Sequence, residues 1–184
     1  MKKLNLGCGR FKKEGFINVD LNPAHKPEVV HDLNKFPYPF KSEEFDYIEI
    51  SHALEHLDDP FGVMRELHRI LVKGGTLRVL VPHCSRGFTH AEHKHGFDVT
   101  FKYYFDEKYF WEDSGVKMRC VKNRLTWFAQ PGLKRRYLPG HVVFVLTVFG
   151  VVVDFFANIY PEFCSRVWCY WVGGFEELEV EFVK

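Results

Sequence analysis

A strand, a glycine turn, a second strand and an acid follow one another within the first twenty residues. That order restricts the fold more than any other feature of the chain. Lys3-Leu4-Asn5-Leu6 is a short extended run, Leu6-Gly7-Cys8-Gly9 interrupts it, and Phe16-Ile17-Asn18-Val19-Asp20 resumes it and ends on a carboxylate. Glycines just after a strand let the backbone pass close to a ligand, because no Cβ stands in the way. An acid at the tip of the next strand can accept hydrogen bonds from two neighbouring ribose hydroxyls. The pattern predicts a site for an adenosine-containing cofactor at the carboxyl ends of parallel strands. A pyrophosphate fits less well, since its fingerprint wants a third glycine and the N-terminus of a long helix. Phe11 stands where that glycine would be, and only Arg10 to Gly15 separates the turn from the next strand. No Gly-Lys-Ser/Thr follows, which excludes a P-loop.

Strands and connections continue to alternate through the first half. Glu28-Val29-Val30-His31-Asp32 reads as a third strand ending on an acid, and Phe45 to Ser51 as a fourth. Asp59-Pro60 opens a helix: Asp59 is a good N-cap, and Pro60 at the first helical position loses no hydrogen bond. Phe61, Val63, Met64, Leu67, Ile70 and Leu71 follow at helical spacing, and Gly74-Gly75 is expected to end the helix. Thr76 to Val81 is a fifth strand closed by Pro82. Such alternation argues for a parallel sheet with helices on its faces.

Beyond residue 82 the pattern changes. Residues 83–100 form a polar, His-rich loop, a helix is expected over Phe105 to Ser114, and Val116 to Phe128 has strand character. Glu176 to Val183 alternates acidic and apolar residues like an edge strand with one solvated face. With 184 residues and no linker or repeat, one domain spanning 1–184 is expected, its cofactor-binding half at 1–85 and its acceptor-side half at 86–184. A net charge of +1 gives no reason to expect nucleic acid. Five cysteines without a regular framework, and no N-terminal signal segment, lead us to expect a cytoplasmic protein. Cys164 and Cys169 match no strong metal or redox spacing and read as buried thiols.

Taken in order, these segments resemble the class I S-adenosylmethionine-dependent methyltransferases. The resemblance rests on Leu4 to Gly9, Phe16 to Asp20, Phe36-Pro37-Tyr38-Pro39-Phe40 running into Phe45-Asp46, Ser51 to Leu57, and Leu71 to Leu77. It covers roughly the first 85 residues and implies a Rossmann-like three-layer α/β sandwich, mostly parallel with an antiparallel C-terminal strand. It also implies S-adenosyl-L-methionine as cofactor and methyl transfer to a small molecule. Gly7 and Gly9 would face the methionine part and Asp20 would hold the ribose hydroxyls, with Leu6, Cys8 and Leu21 also among the cofactor-binding residues. Asp32 with Leu33 would sit beside the adenine, and Ser51 with His52 near the sulfonium. Asn5 stands where the family often has an acid, and the Gly9–Phe16 connection is too short for a full helix, so the cofactor site is a trimmed one. A non-catalytic module that keeps the cofactor is the competing reading.

His52, His83 and His90 are the candidate general bases, since imidazoles titrate near neutrality. His52 and His56 lie one helical turn apart around Glu55, which could begin a metal site; without a clear third ligand, no metal is expected. A zinc site from His90, His93, His95 and Asp98 matches no established spacing, and contact of this loop with substrate is the alternative to a solvated loop. The apolar run Val142 to Val153 is too short for a bilayer crossing of about 20 residues, so a buried helix or strand is favoured. Lys134-Arg135-Arg136 just upstream keeps open attachment through 142–156 to an anionic membrane surface, or an acceptor with a hydrophobic tail. A homodimer contact would cover the same residues.

Overall fold

The computed structural model describes residues 1–87, 90–109 and 114–184. Its elements are β1 (Lys3–Leu6), β2 (Ile17–Asp20), β3 (Val29–Val30), β4 (Phe45–Ser51), α1 (Pro60–Ile70), β5 (Leu71–Pro82), α2 (Cys84–Gly87), β6 (Arg119–Thr126), α3 (Pro131–Lys134), α4 (Gly140–Ala157), α5 (Pro161–Arg166) and β7 (Glu177–Val183). The strands form a seven-stranded sheet in the order β3-β2-β1-β4-β5-β7-β6. β1 to β5 pair in parallel, and β7 runs antiparallel to both of its neighbours.

The two faces of the sheet differ in chemistry. Leu4, Leu6, Ile48, Ile50, Val79 and Val180 share one face and are fully buried. α1 packs Val63, Met64, Leu67 and Ile70 into the same core, and each such side chain contributes about 1.5–3 kcal/mol. Asp59 starts this helix as expected, its carboxylate accepting the Gly62 amide at 2.8 Å. The opposite face is polar. Asn18, Asn5, Glu49, Arg78, Glu181 and Lys122 are consecutive cross-strand neighbours. Arg78 lies 3.0 Å from Glu49 and 2.5 Å from Glu179, Lys122 is 2.7 Å from Glu179, and Lys13 pairs with Glu49. Burial alone would raise both carboxylates. Lys13 and Arg78 instead hold Glu49 below the usual range, and Lys122 and Arg78 do so for Glu179.

The Rossmann-like α/β arrangement is present, with its helices unequally shared between the faces. The β1–β2 and β3–β4 connections carry no helix, and the β2–β3 connection carries a single turn at Pro23–His25. Asn5, Glu49 and Arg78 of the polar face are therefore left to line a cleft.

Four expectations are corrected. Gly74-Gly75 does not end α1: the helix stops at Ile70 and β5 starts at Leu71, with Gly74 at φ +77° bending the strand's first residues. β7 is interior, because its acidic side chains meet cations on both neighbouring strands; β6 is the edge. The helix expected over 105–114 is absent over 105–109, where the chain turns, and residues 110–113 lie outside the described residues. The apolar run is helical, as α4, but largely exposed. Val153 and Ala157 reach the core, whereas Phe144, Val145, Val148, Phe149, Phe155 and Phe156 face outward. Its polar residues explain its position. Asp154 accepts the Trp127 amide at 2.6 Å, and Asn158 bonds both the amide and the carbonyl of Leu125. Together they occupy the free edge beside β6, which would otherwise present unpaired backbone groups.

Candidate functional site

A cleft of about 980 Å³ lies at the carboxyl ends of β1, β4 and β5, within the size range of small-ligand pockets. Its floor is the polar sheet face, from Asn5 through Glu49 to Arg78, and its far wall includes Gln130 and Leu133 at α3. Gly7, Cys8 and Gly9 form one rim. Gly7 and Gly9 have φ of +66° and +51°, the left-handed region where a Cβ is strained. Gly7 also abuts Ala53: a Cβ built on it would sit 2.5 Å from that residue's Cβ.

Asp20 plays a bracing part in this turn. One carboxylate oxygen accepts the Gly9 amide at 2.7 Å; the other accepts the Asn22 amide at 2.8 Å and meets His25 Nδ1 at 3.0 Å. Burial would raise its pKa, but these hydrogen bonds and the nearby His25 lower it. A carboxylate has about four acceptor positions, so three protein bonds leave room for a ligand hydroxyl while fixing the acid against the turn.

Of the residues singled out in the sequence, Gly7, Cys8, Gly9, Ser51, His52 and His90 line the cleft. Leu6, Asp20, Leu21, Asp32, Leu33 and His83 do not. Leu6 and Leu33 point into the core, and Leu21 faces outward. Asp32 caps a local turn by accepting the Asn34 amide at 3.0 Å, the turn chemistry weighed for it from sequence. His83 is fully buried, with its two ring nitrogens each 2.7 Å from a serine hydroxyl, Ser85 and Ser165. Burial pushes its pKa down to about 4. A base must reach its substrate, so His83 is a structural residue here.

His52 closes β4 at φ +50°, a conformation costing about 1–2 kcal/mol for a non-glycine residue. Its Nε2 lies 2.8 Å from Glu177 and its Nδ1 3.7 Å from Glu55. Burial opposes its charged form, yet the two carboxylates outweigh burial and push the pKa up to about 9. At neutral pH it is a cation rather than a base.

Sequence reasoning missed Glu49, Arg78 and Glu177 as site residues. The signal was their alternation with apolar positions in strands, which puts charges on one face. It also gave His56 no third metal-ligand partner. The fold supplies one, because the loop carrying His93 returns over His56 and their rings lie 4.9 Å apart.

The sheet order and the cleft at its strand ends give this chain the Rossmann-like α/β fold that solved S-adenosylmethionine-dependent methyltransferases share. Residues 13–79 match the methyltransferase domain family. The chain is 38% identical over 65 residues to demethylmenaquinone methyltransferase of Listeria welshimeri, a match spanning 35% of this chain and 27% of that protein. A methyltransferase from Archaeoglobus fulgidus superposes with a TM-score of 0.61 at 19% identity, over 100% of this chain and 86% of the other. The cyclase SpnF superposes at 0.58 with 12% identity, over 100% and 74%. The fold is thus shared by proteins whose names carry different reactions, and the assignment of chemistry rests on the site.

Proposed function

We propose that this chain is an S-adenosylmethionine-dependent methyltransferase acting on a small hydrophobic acceptor at an anionic membrane surface. The observation that carries the cofactor assignment is the Gly7–Gly9 turn at the mouth of the cleft, held by the Asp20 carboxylate through the Gly9 amide. That turn leaves backbone rather than side chain at the rim, and the braced acid stands beside it for a ribose. The cofactor supplies an activated methyl group, so the protein's work is to align an acceptor and exclude water, which can contribute about 7–11 kcal/mol. Protonated His52, paired with Glu177, contributes positive charge to the cleft wall. His90, which also lines the cleft, is the proton acceptor for a hydroxyl or carbon acid.

The acceptor class follows from α4. An exposed helix with no polar face is unsuited to water, and Phe144 and Phe155 are 68% and 66% exposed. Contrary to the length expected from the sequence, its 18 residues make about 27 Å, long and apolar enough to cross a bilayer. Because Asp154 and Asn158 tie its C-terminal end to the β6 edge, we lay it along the domain at the membrane surface. Arg135 and Arg136, exposed just before it, suit anionic headgroups. A quinone acceptor, as the Listeria relative's name carries, is one such hydrophobic substrate. α3 joins the cleft wall to α4, which would present the cleft to a lipid-embedded substrate.

Calorimetry with S-adenosylhomocysteine tests the cofactor: saturable binding is expected, lost in Gly9→Val, and no heat at millimolar ligand overturns the reading. Flotation with phosphatidylglycerol vesicles tests the surface. The wild type should float, and Phe144→Ser with Phe155→Ser should not. A wild-type dimer that stays in the soluble fraction would assign α4 to self-association instead.

A further inference from the structure

We infer that Glu55, His56 and His93 form a binding site for a divalent transition-metal ion of the zinc type. Glu55 is 1% exposed, and neither carboxylate oxygen has a hydrogen-bond partner among the described residues. A buried carboxylate without a hydrogen-bond donor costs several kcal/mol; His52 Nδ1, at 3.7 Å from Oε1, lies beyond hydrogen-bond reach, and a metal ion bound directly to the carboxylate would satisfy it. His56 Nε2 and His93 Nε2 each lie 3.9 Å from Glu55 Oε1. That is too long for a hydrogen bond, and the donor atoms of all three residues fall within 4.8 Å of one another.

The ring tautomers make the case sharper. His56 Nδ1 is 3.1 Å from the Glu92 carbonyl oxygen, and His93 Nδ1 is 2.6 Å from the Gly87 carbonyl oxygen. A carbonyl only accepts, so in both rings Nδ1 carries the hydrogen and donates it. In the neutral ring, Nε2 then presents a bare lone pair. Two imidazole lone pairs and a carboxylate oxygen converge with no hydrogen between them, an arrangement that repels itself until a cation occupies the centre. Metal-bound histidines are oriented in this way, by a second hydrogen bond from the opposite nitrogen to a carbonyl or carboxylate.

Distances and donor types select the ion. Ligands about 2.1 Å from a tetrahedral ion stand about 3.4 Å apart, so the observed 3.9 Å needs a contraction of only about 0.5 Å. Two imidazoles and one carboxylate are a zinc-type set that leaves a fourth position open. All three residues line the cleft, so that position faces the ligand space, with His52 at its border. The site is independent of the methyl-transfer assignment, because it requires neither cofactor nor acceptor.

The test is titration of the chelator-treated full chain with zinc chloride by calorimetry, and with cobalt chloride by visible absorption. One equivalent of zinc should bind, the cobalt form should show ligand-field bands of a four-coordinate ion, and zinc should raise the melting temperature. His93→Gln, in a loop outside the helices and strands, should keep the metal-free melting temperature and lose at least roughly 100-fold in zinc affinity. Glu55→Gln should lose as much, and His31→Gln, outside the cluster, should bind as wild type. Absence of zinc uptake by the wild type, or equal affinity in His93→Gln and the wild type, overturns the site.

Discussion

Acid should destabilise this protein through a histidine in its core as well as through its carboxylates. His83 is buried between Ser85 and Ser165, and its pKa falls from an ordinary 6.5 to about 4 because burial penalises the imidazolium; Asp98 acts weakly in the opposite sense. The sign follows from linkage. In the folded chain the ring stays neutral down to about pH 4, whereas in the unfolded chain it takes a proton below 6.5. Unfolding therefore binds a proton between those values, and stability is complete above pH 6.5 and lost progressively as pH falls toward 4. At about 1.36 kcal/mol per unit, the full loss is about 3 kcal/mol, and the portion between pH 7 and pH 5 is about 2 kcal/mol. Urea unfolding at a series of pH values measures this directly. His83→Gln keeps a side chain able to bond both serines but removes the titration. The wild type should lose about 2 kcal/mol more than the variant between pH 7 and pH 5. Because the carboxylates titrate in both proteins, the difference isolates His83. Parallel stability curves over that interval would refute the assignment of a buried neutral imidazole.

Two further outcomes follow from the site. Arg78→Met leaves Glu49 and Glu179 short of a shared cation on the cleft floor; urea unfolding at pH 7 should show a loss of about 3 kcal/mol, the low end for breaking a buried pair because Arg78 is partly exposed, and a change below about 0.5 kcal/mol contradicts it. Gly7→Ala places a Cβ 2.5 Å from Ala53 at a φ of +66°; denaturation should show a loss of about 2 kcal/mol or more, with weaker S-adenosylhomocysteine binding, and full retention of both is the contrary result.

What could be read from the sequence was local. β1, β2, β4 and the Asp59–Pro60 start of α1 depend on turn glycines, caps and periodicity, all carried by neighbouring residues. The misplacements were questions of long-range partners. Glu179 and Glu181 read as solvated because the alternation cannot show Arg78 and Lys122 on the adjoining strands. α4 was legible as apolar, but its exposure depends on lying at a sheet edge, which only the topology fixes. The candidate site divided in the same way. The glycine turn was evident, whereas Glu55, His56 and His93 meet only because the loop after β5 folds back over the turn after β4.

The clasp of Asp154 and Asn158 on the β6 edge has a consequence for how the protein could sit on a bilayer. A helix whose C-terminal end is tied to a sheet edge by side-chain hydrogen bonds to its backbone cannot swing out freely at that end when its other side enters lipid. The domain would come down as a rigid body, tilted by the line of α4. Since only residues 135–139 separate α3, at the cleft wall, from that helix, the height of the cleft mouth above the headgroups would be set by the fold, and the length of an acceptor's polar head would decide which lipids can reach it.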